Sequence, residues 1–289
     1  MKKMEETYRN FRLRMKHRAW VALTLPLFLL AACQEKIDWD LDLQNNLKLV
    51  VEGKITDEVR AHEVKLTLPV FEINGEPEPV SGARVRISDG DSIYELAEDP
   101  ARSGVYLTDP WVKGDTGKIY TLNIQVENFE CWGVAGMSPV SDIKTPSYYR
   151  AQSDPALYRF INSGNNDIPN LLRLELDWSA VPGYDTLDED DNHAIIYMYS
   201  FGPLNVDANQ VFAPNHEQVL FPPGTLILAT KESLSEGYAE YLRGLLSETS
   251  WNGGFFDVRP GDPFTNLSEG AIGYFSVCGV KRDTVIFNP

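Results

Sequence analysis

Cys33 is the residue with the plainest chemistry in this sequence. It closes the run Leu29-Leu-Ala-Ala-Cys33, after an apolar stretch from Trp20 and seven basic residues between Lys2 and Arg18. A basic segment, a short apolar segment and small residues before a cysteine read together as a bacterial lipobox. Export, cleavage before Cys33 and acylation of the new N-terminal cysteine are expected. Trp20–Ala32 is too short for a spanning helix, which needs about 20 apolar residues. The competing reading is an ordinary secretory signal with a chance cysteine. Residues 1–32 are assigned as the lipoprotein signal peptide. Its basic part is long, and Met15-Lys-His-Arg would open a signal of more usual length. The start is therefore Met1 or Met15, with Met15 expected.

The remaining reactive side chains form no comparable pattern. With Cys33 acylated, Cys131 and Cys278 are left. In an oxidising compartment such a pair can form a disulfide, yet each sits in a strand-like run where a buried thiol is ordinary. The sequence leaves both readings open. Asp185, Asp188, Glu189, Asp190 and Asp191 crowd one loop and could offer oxygens to calcium. They lack the glycine and spaced register of an EF-hand, so a solvated acidic loop is expected and no metal is assigned.

His62, His193 and His216 show no zinc spacing, and neither HExxH nor CxxC occurs. Ser200, Ser233, Ser247 and Ser250 stand in no G-x-S-x-G context. No catalytic residue or cofactor is assigned, and a non-enzymatic role is expected. Trp111, Trp132 and Trp251, with Tyr148-Tyr149, could stack on sugars. Core packing is the commoner fate of tryptophan, and Trp178 is placed in the core.

Charge narrows the partners. Residues 1–32 hold seven Lys/Arg and two Asp/Glu of a total of 26 and 42, so the mature chain has 19 against 40 and a formal net charge of −21. Nucleic acid and anionic lipid headgroups need basic patches and are not expected partners. Gln34–Asn46 is polar and aperiodic, so residues 33–46 read as a tether. Glu35 and Asp38 within it resemble an acidic surface-export signal, making the cell surface the expected side of the membrane.

The elements that must carry any site are mostly strands. Leu49 and Val51 alternate with Val50 and Glu52, Val64 and Leu66 with Lys65, and Val85 and Ile87 with Arg84 and Arg86. Tyr120, Leu122 and Ile124 alternate with Thr121, Asn123 and Gln125. Turn pairs such as Asp89-Gly90 and Ser103-Gly104 bound these runs. Residues 47–145 are thus expected to be an immunoglobulin- or transthyretin-like β-sandwich.

Residues 146–289 are expected to be a second, mainly β domain. Leu172, Leu174, Leu176 and Trp178 form a half-buried strand, and Ala194–Ser200 and Thr225–Ala229 form fuller ones. One amphipathic helix is expected near 235–247, capped by Ser233 with Glu236. Tyr238, Tyr241, Leu242, Leu245 and Leu246 would share its packing stripe. Tyr274–Val280 and Thr284–Phe287 read as a terminal hairpin.

Several phrases carry a resemblance. Leu49-Val-Val-Glu-Gly-Lys-Ile-Thr-Asp-Glu58, Val80-Ser-Gly-Ala-Arg-Val-Arg-Ile87 and Gly117-Lys-Ile-Tyr-Thr-Leu122 resemble successive strands of a Bacteroidetes-type outer-membrane lipoprotein family of unknown function. Gly270-Ala-Ile-Gly-Tyr-Phe-Ser-Val277, after Asp262-Pro-Phe264 and Asn266, resembles its C-terminal signature. The first domain also resembles the transthyretin-like modules found beside carboxypeptidases.

Members of the family tend to be encoded beside TonB-dependent receptors. The resemblance therefore implies a cell-envelope setting and a receptor of that kind as partner, but no site residues. The expectation is a lipid-anchored outer-membrane accessory protein working with a TonB-dependent receptor in uptake or envelope assembly. The alternative is an independent glycan- or peptide-binding surface lipoprotein, with a hydrolase third.

Overall fold

The computed structural model describes residues 48–70, 75–161, 168–186, 188–201, 219–249 and 264–289. Cys33, the signal segment and the tether to residue 46 lie outside these. The chain divides into Met1–Asn45 and Asn46–Pro289, and only the second unit falls within the described residues.

Fourteen strands lie among the described residues, most of them in the alternating runs. The first seven are β1 (Leu49–Thr56), β2 (Glu63–Thr67), β3 (Arg84–Ser88), β4 (Ile93–Glu98), β5 (Val105–Leu107), β6 (Ile119–Val126) and β7 (Phe129–Gly136). A hairpin follows, β8 (Ser147–Arg150) and β9 (Tyr158–Ile161), then β10 (Asn170–Asp177), β11 (His193–Ser200) and β12 (Leu226–Ser233). After the helix Glu236–Thr249, the chain closes with β13 (Ala271–Cys278) and β14 (Val280–Ile286).

The protein is mainly β, as the period-two runs require. Eight strands form one sheet in the order β13-β1-β2-β5-β4-β3-β6-β7. This sheet folds over on itself in the manner of a sandwich. Val51, Val64 and Leu66 of β1 and β2 share one core with Val85, Ile87, Leu122 and Ile124 of β3 and β6. Gly53 shows how closely the layers meet, since a Cβ there would lie 3.8 Å from Leu122 and 3.0 Å from Phe275. The ends of the sheet also meet. The Asn266 side chain donates to the carbonyls of Val134 on β7 (2.8 Å) and Phe275 on β13 (2.7 Å), and accepts from Phe275 N–H (3.0 Å).

The second sheet runs β11-β10-β12-β14 and is antiparallel throughout. Its inner face buries Leu172, Leu174, Leu176 and Ile227 with Trp178 in a second core. The β8–β9 hairpin adds Tyr158 to an aromatic cluster, with Tyr158–Phe287 centroids 5.3 Å apart and Phe221–Phe287 5.0 Å.

Two local expectations give way to tertiary structure. The end of the chain is not a hairpin: β13 runs parallel to β1 and β14 pairs with β12. A single residue, Gly279, separates them, whereas the tightest common hairpin needs a two-residue loop. The chain changes sheets there instead. The large sheet therefore takes its eighth strand from beyond residue 146. Gly273 makes that strand fit, with φ +98 and an ideal Cβ position only 2.1 Å from the Val51 carbonyl. No side chain could occupy that position.

The helix is also capped differently. Ser235, not Ser233, accepts from Tyr238 N–H (3.3 Å) through its side chain and from Ala239 N–H (2.9 Å) through its carbonyl. Ser233 is unavailable because it ends β12. Its hydroxyl donates to the Ser138 carbonyl (2.6 Å) and accepts from Gly279 N–H (2.8 Å).

Candidate functional site

An open cleft of about 580 Å³ lies between the helix Glu236–Thr249 and the outer face of β13, β1 and β2. The strand alternation that buries Val51 and Leu66 turns their neighbours outward into this floor. Register makes the floor a chequer of charge: Glu52 stands opposite Lys65, and Lys54 opposite Glu63. On the other side of β1, Glu52 faces Tyr274 and Lys54 faces Ser276. Each charge has an opposite partner. Lys54 Nζ donates to Glu232 (2.7 Å), Lys65 lies 3.8 Å from Glu52, and Arg102 lies 2.8 Å from Glu63.

The helix supplies the wall. Tyr238, Tyr241, Leu242 and Leu245 recur at helical spacing, so they share one face. That face was expected to be a packing stripe. It lines the open cleft, with Tyr238, Tyr241 and Leu242 half-buried and Leu245 exposed, while Ala239 is buried. Tyr274 packs against both helix tyrosines, its ring centroid 5.0 Å from Tyr238 and 5.1 Å from Tyr241. Gly237 permits this approach, since a Cβ there would lie 2.8 Å from the Tyr274 hydroxyl.

Burial sets the ionisation of the cleft. It pushes the Tyr238 phenol up to about 12 and raises Tyr241 and Tyr274 as well, so all three rings stay neutral at physiological pH. Burial pulls Lys54 down, but the hydrogen-bonded Glu232 carboxylate holds the ammonium charged. The cleft thus offers neutral aromatic faces above a floor of balanced charge.

The residues singled out in the sequence are dispersed. Trp111 is 81% exposed on a loop whose Val112 carbonyl accepts from Arg60 N–H. Trp132 is 54% exposed on β7 opposite Asn123, and Tyr148-Tyr149 lie on the β8–β9 hairpin. The structure does not assemble these into one platform. Trp178 is in the core, while Trp251 and His216 lie outside the described residues.

His62 is buried, with Nε2 3.0 Å from the Val112 carbonyl and Nδ1 accepting from Thr56 N–H (3.3 Å). His193 lies 3.3 Å from Asp177 and against Asn192. Cys131 and Cys278 are free, buried thiols, pushed up to about 11 and about 12 by burial. Among the described residues, no three His, Cys, Asp or Glu converge as a metal set, and no helix is long and apolar enough to cross a membrane.

The sequence placed Tyr238 and Tyr241 on a packing stripe and Glu52, Lys65 and Tyr274 in strands, but assigned none of these, nor Lys54 or Glu63, to a site. A usable signal was present in the outward positions of two adjacent strands, which carry opposite charges that pair when the strands run antiparallel.

Fold and cleft together define a mainly β scaffold with a tyrosine-lined groove on the outside of a folded sheet. The chain belongs to the family described as a domain of unknown function, DUF4249, whose model matches residues 34–284. A search of curated proteins found no match.

Proposed function

We propose that this is a lipid-anchored binding protein of the outer membrane, an accessory of a TonB-dependent receptor that holds a ligand without transforming it. The tyrosine cleft carries this reading. Its volume falls in the range of about 300–1,000 Å³ typical of small-molecule sites. Its ionic groups are already paired. Both ring nitrogens of His62 are held by backbone groups, and burial suppresses the thiolate form of both described cysteines. The lipobox at Leu29–Cys33 supports the anchor, and the resemblance supports the receptor.

A surface suited to the receptor lies on the other sheet. The outer face of β11, β10 and β12 leaves Ile195, Tyr197 and Leu228 substantially exposed, beside Arg173 and Glu175. Exposed apolar residues rimmed by charge are characteristic of interaction sites. A stable contact would bury at least about 1,000 Å² in total.

Affinity purification from membranes solubilised at moderate salt tests the proposal. The receptor should co-purify with the wild-type chain and be lost with Tyr197→Glu combined with Leu228→Glu. Isolation of the wild type as a lone monomer overturns the receptor reading and favours an independent binding lipoprotein.

A further inference from the structure

We infer that the tyrosine cleft takes a neutral, polyhydroxylated ligand, a short uncharged oligosaccharide. This rests on the reading of the cleft as a binding site and names its ligand class. Three observations carry it.

The first is charge balance. The floor presents Glu52, Lys54, Glu63 and Lys65 with every charge matched. An anionic or cationic ligand would find no net field there and would have to displace an existing ion pair. Hydroxyl groups both donate and accept, so they can donate to Glu52 and accept from Lys65 without breaking that pairing.

The second is the backbone. β1 is bonded on one side to β13 along its whole length and on the other to β2 from Val50 to Lys54. The floor therefore offers a sheet face, and the outer edge of β13 is occupied at Gly273 and Phe275 by the Thr265 and Asn266 side chains. A peptide adding itself as a strand would meet that occupied edge, so recognition falls to side chains.

The third is the wall. The tyrosine rings and Leu242 and Leu245 give a neutral, partly apolar surface facing a charged floor. A pyranose ring has this same division, with C–H groups on its faces and hydroxyls around its rim. An acyl chain would satisfy the wall but would strip water from four charged groups on the floor, at high cost.

Isothermal titration of the full lipidated chain tests this, in a detergent without a sugar headgroup. The probes are neutral tetrasaccharides (cello-, malto-, xylo-, manno- and chito-), with trigalacturonate, an unstructured decapeptide and a short-chain fatty acid as comparators. At least one neutral tetrasaccharide should bind, and Tyr241→Ala should weaken it about tenfold while Tyr241→Phe preserves it. Glu52→Gln, on a side chain 61% exposed and so without consequence for folding, should weaken it several-fold.

Binding of no neutral probe at millimolar concentration overturns the inference. So does preference for a comparator, or neutral-sugar binding indifferent to both Tyr241→Ala and Glu52→Gln. Receptor co-purification is read separately in the same variants. Its persistence alongside a failed sugar titration would discard the ligand class and leave the accessory role standing.

Discussion

His62 sits in the connection between β1 and β2 with 1% exposure, and its ring joins two stretches of backbone. Nδ1 must be unprotonated to accept from Thr56 N–H, so Nε2 carries the proton and donates to the Val112 carbonyl. A second proton would destroy the first bond and charge a buried ring. Burial accordingly lowers its pKa, with Val112 opposing. The unfolded chain takes up this proton near pH 6.5, while the folded chain resists it until lower pH. Stability contributed by the neutral ring is therefore complete above about pH 6.5 and is lost as pH falls toward the depressed folded value. Urea midpoints at pH 7.5 and 5.5 measure this. His62→Gln should be less stable at pH 7.5, by about 1–3 kcal/mol, and should lose less on acidification than the wild type. An identical acid loss in both would contradict the assignment.

Strand β6 shows how the elements hold their faces. Leu122 is fully buried between β3 and β7, while its neighbour Asn123 looks outward, accepting from Arg86 (3.1 Å) and donating to Glu130 (2.9 Å). Leu122→Asp buries an unpaired carboxylate and should cost about 4 kcal/mol or more. Asn123→Asp exchanges repulsion from Glu130 for attraction to Arg86 and should change stability by less than about 1 kcal/mol. Chemical denaturation of the two variants checks the contrast.

The two ends of the same sheet depend on one amide. Asn266→Asp keeps the acceptor for Phe275 N–H but turns both donors into a charge facing two carbonyls. It should destabilise by about 2–3 kcal/mol and speed amide exchange at the β7–β13 junction more than elsewhere in the sheet. Uniform exchange across the sheet would show that the junction closes without it.

At the scale of the molecule, polar bonds tie the two sheets together where the chain crosses between them. Lys54 reaches Glu232, Arg282 pairs with Glu58 (2.7 Å), and Val280 N–H donates to Asp57 (2.8 Å). The junction places the helix, and hence the cleft wall, over β1 and β13. Residues 33–289 are strongly acidic, with a formal net charge of −21, so the proposed membrane attachment draws nothing from anionic headgroups. That attachment is then expected to depend on acylation, because two or three acyl chains anchor far better than one. Metabolic labelling with a fatty-acid analogue should mark the wild type and not Cys33→Ala, which should leave the membrane fraction. A labelled, membrane-bound Cys33→Ala would refute the lipobox reading.

The sequence alone determined which residues turn inward. Side-chain direction alternates along a strand, so Val51, Leu66, Val85, Leu122 and Leu174 were legible as core without any partner. The mainly β class and the helix within two residues of its ends were legible from the same kind of local periodicity, while the unknown-function family came from the resemblance of several phrases. Tertiary structure alone decided which strands pair, because pairing joins residues far apart in sequence. β13 meets β1 across more than two hundred residues, so the terminal strands looked like a hairpin when read locally. The cleft was hidden for that reason too. Tyr274, Tyr241 and Glu52 come from three distant segments, and only the parallel docking of β13 on β1 brings them to one surface.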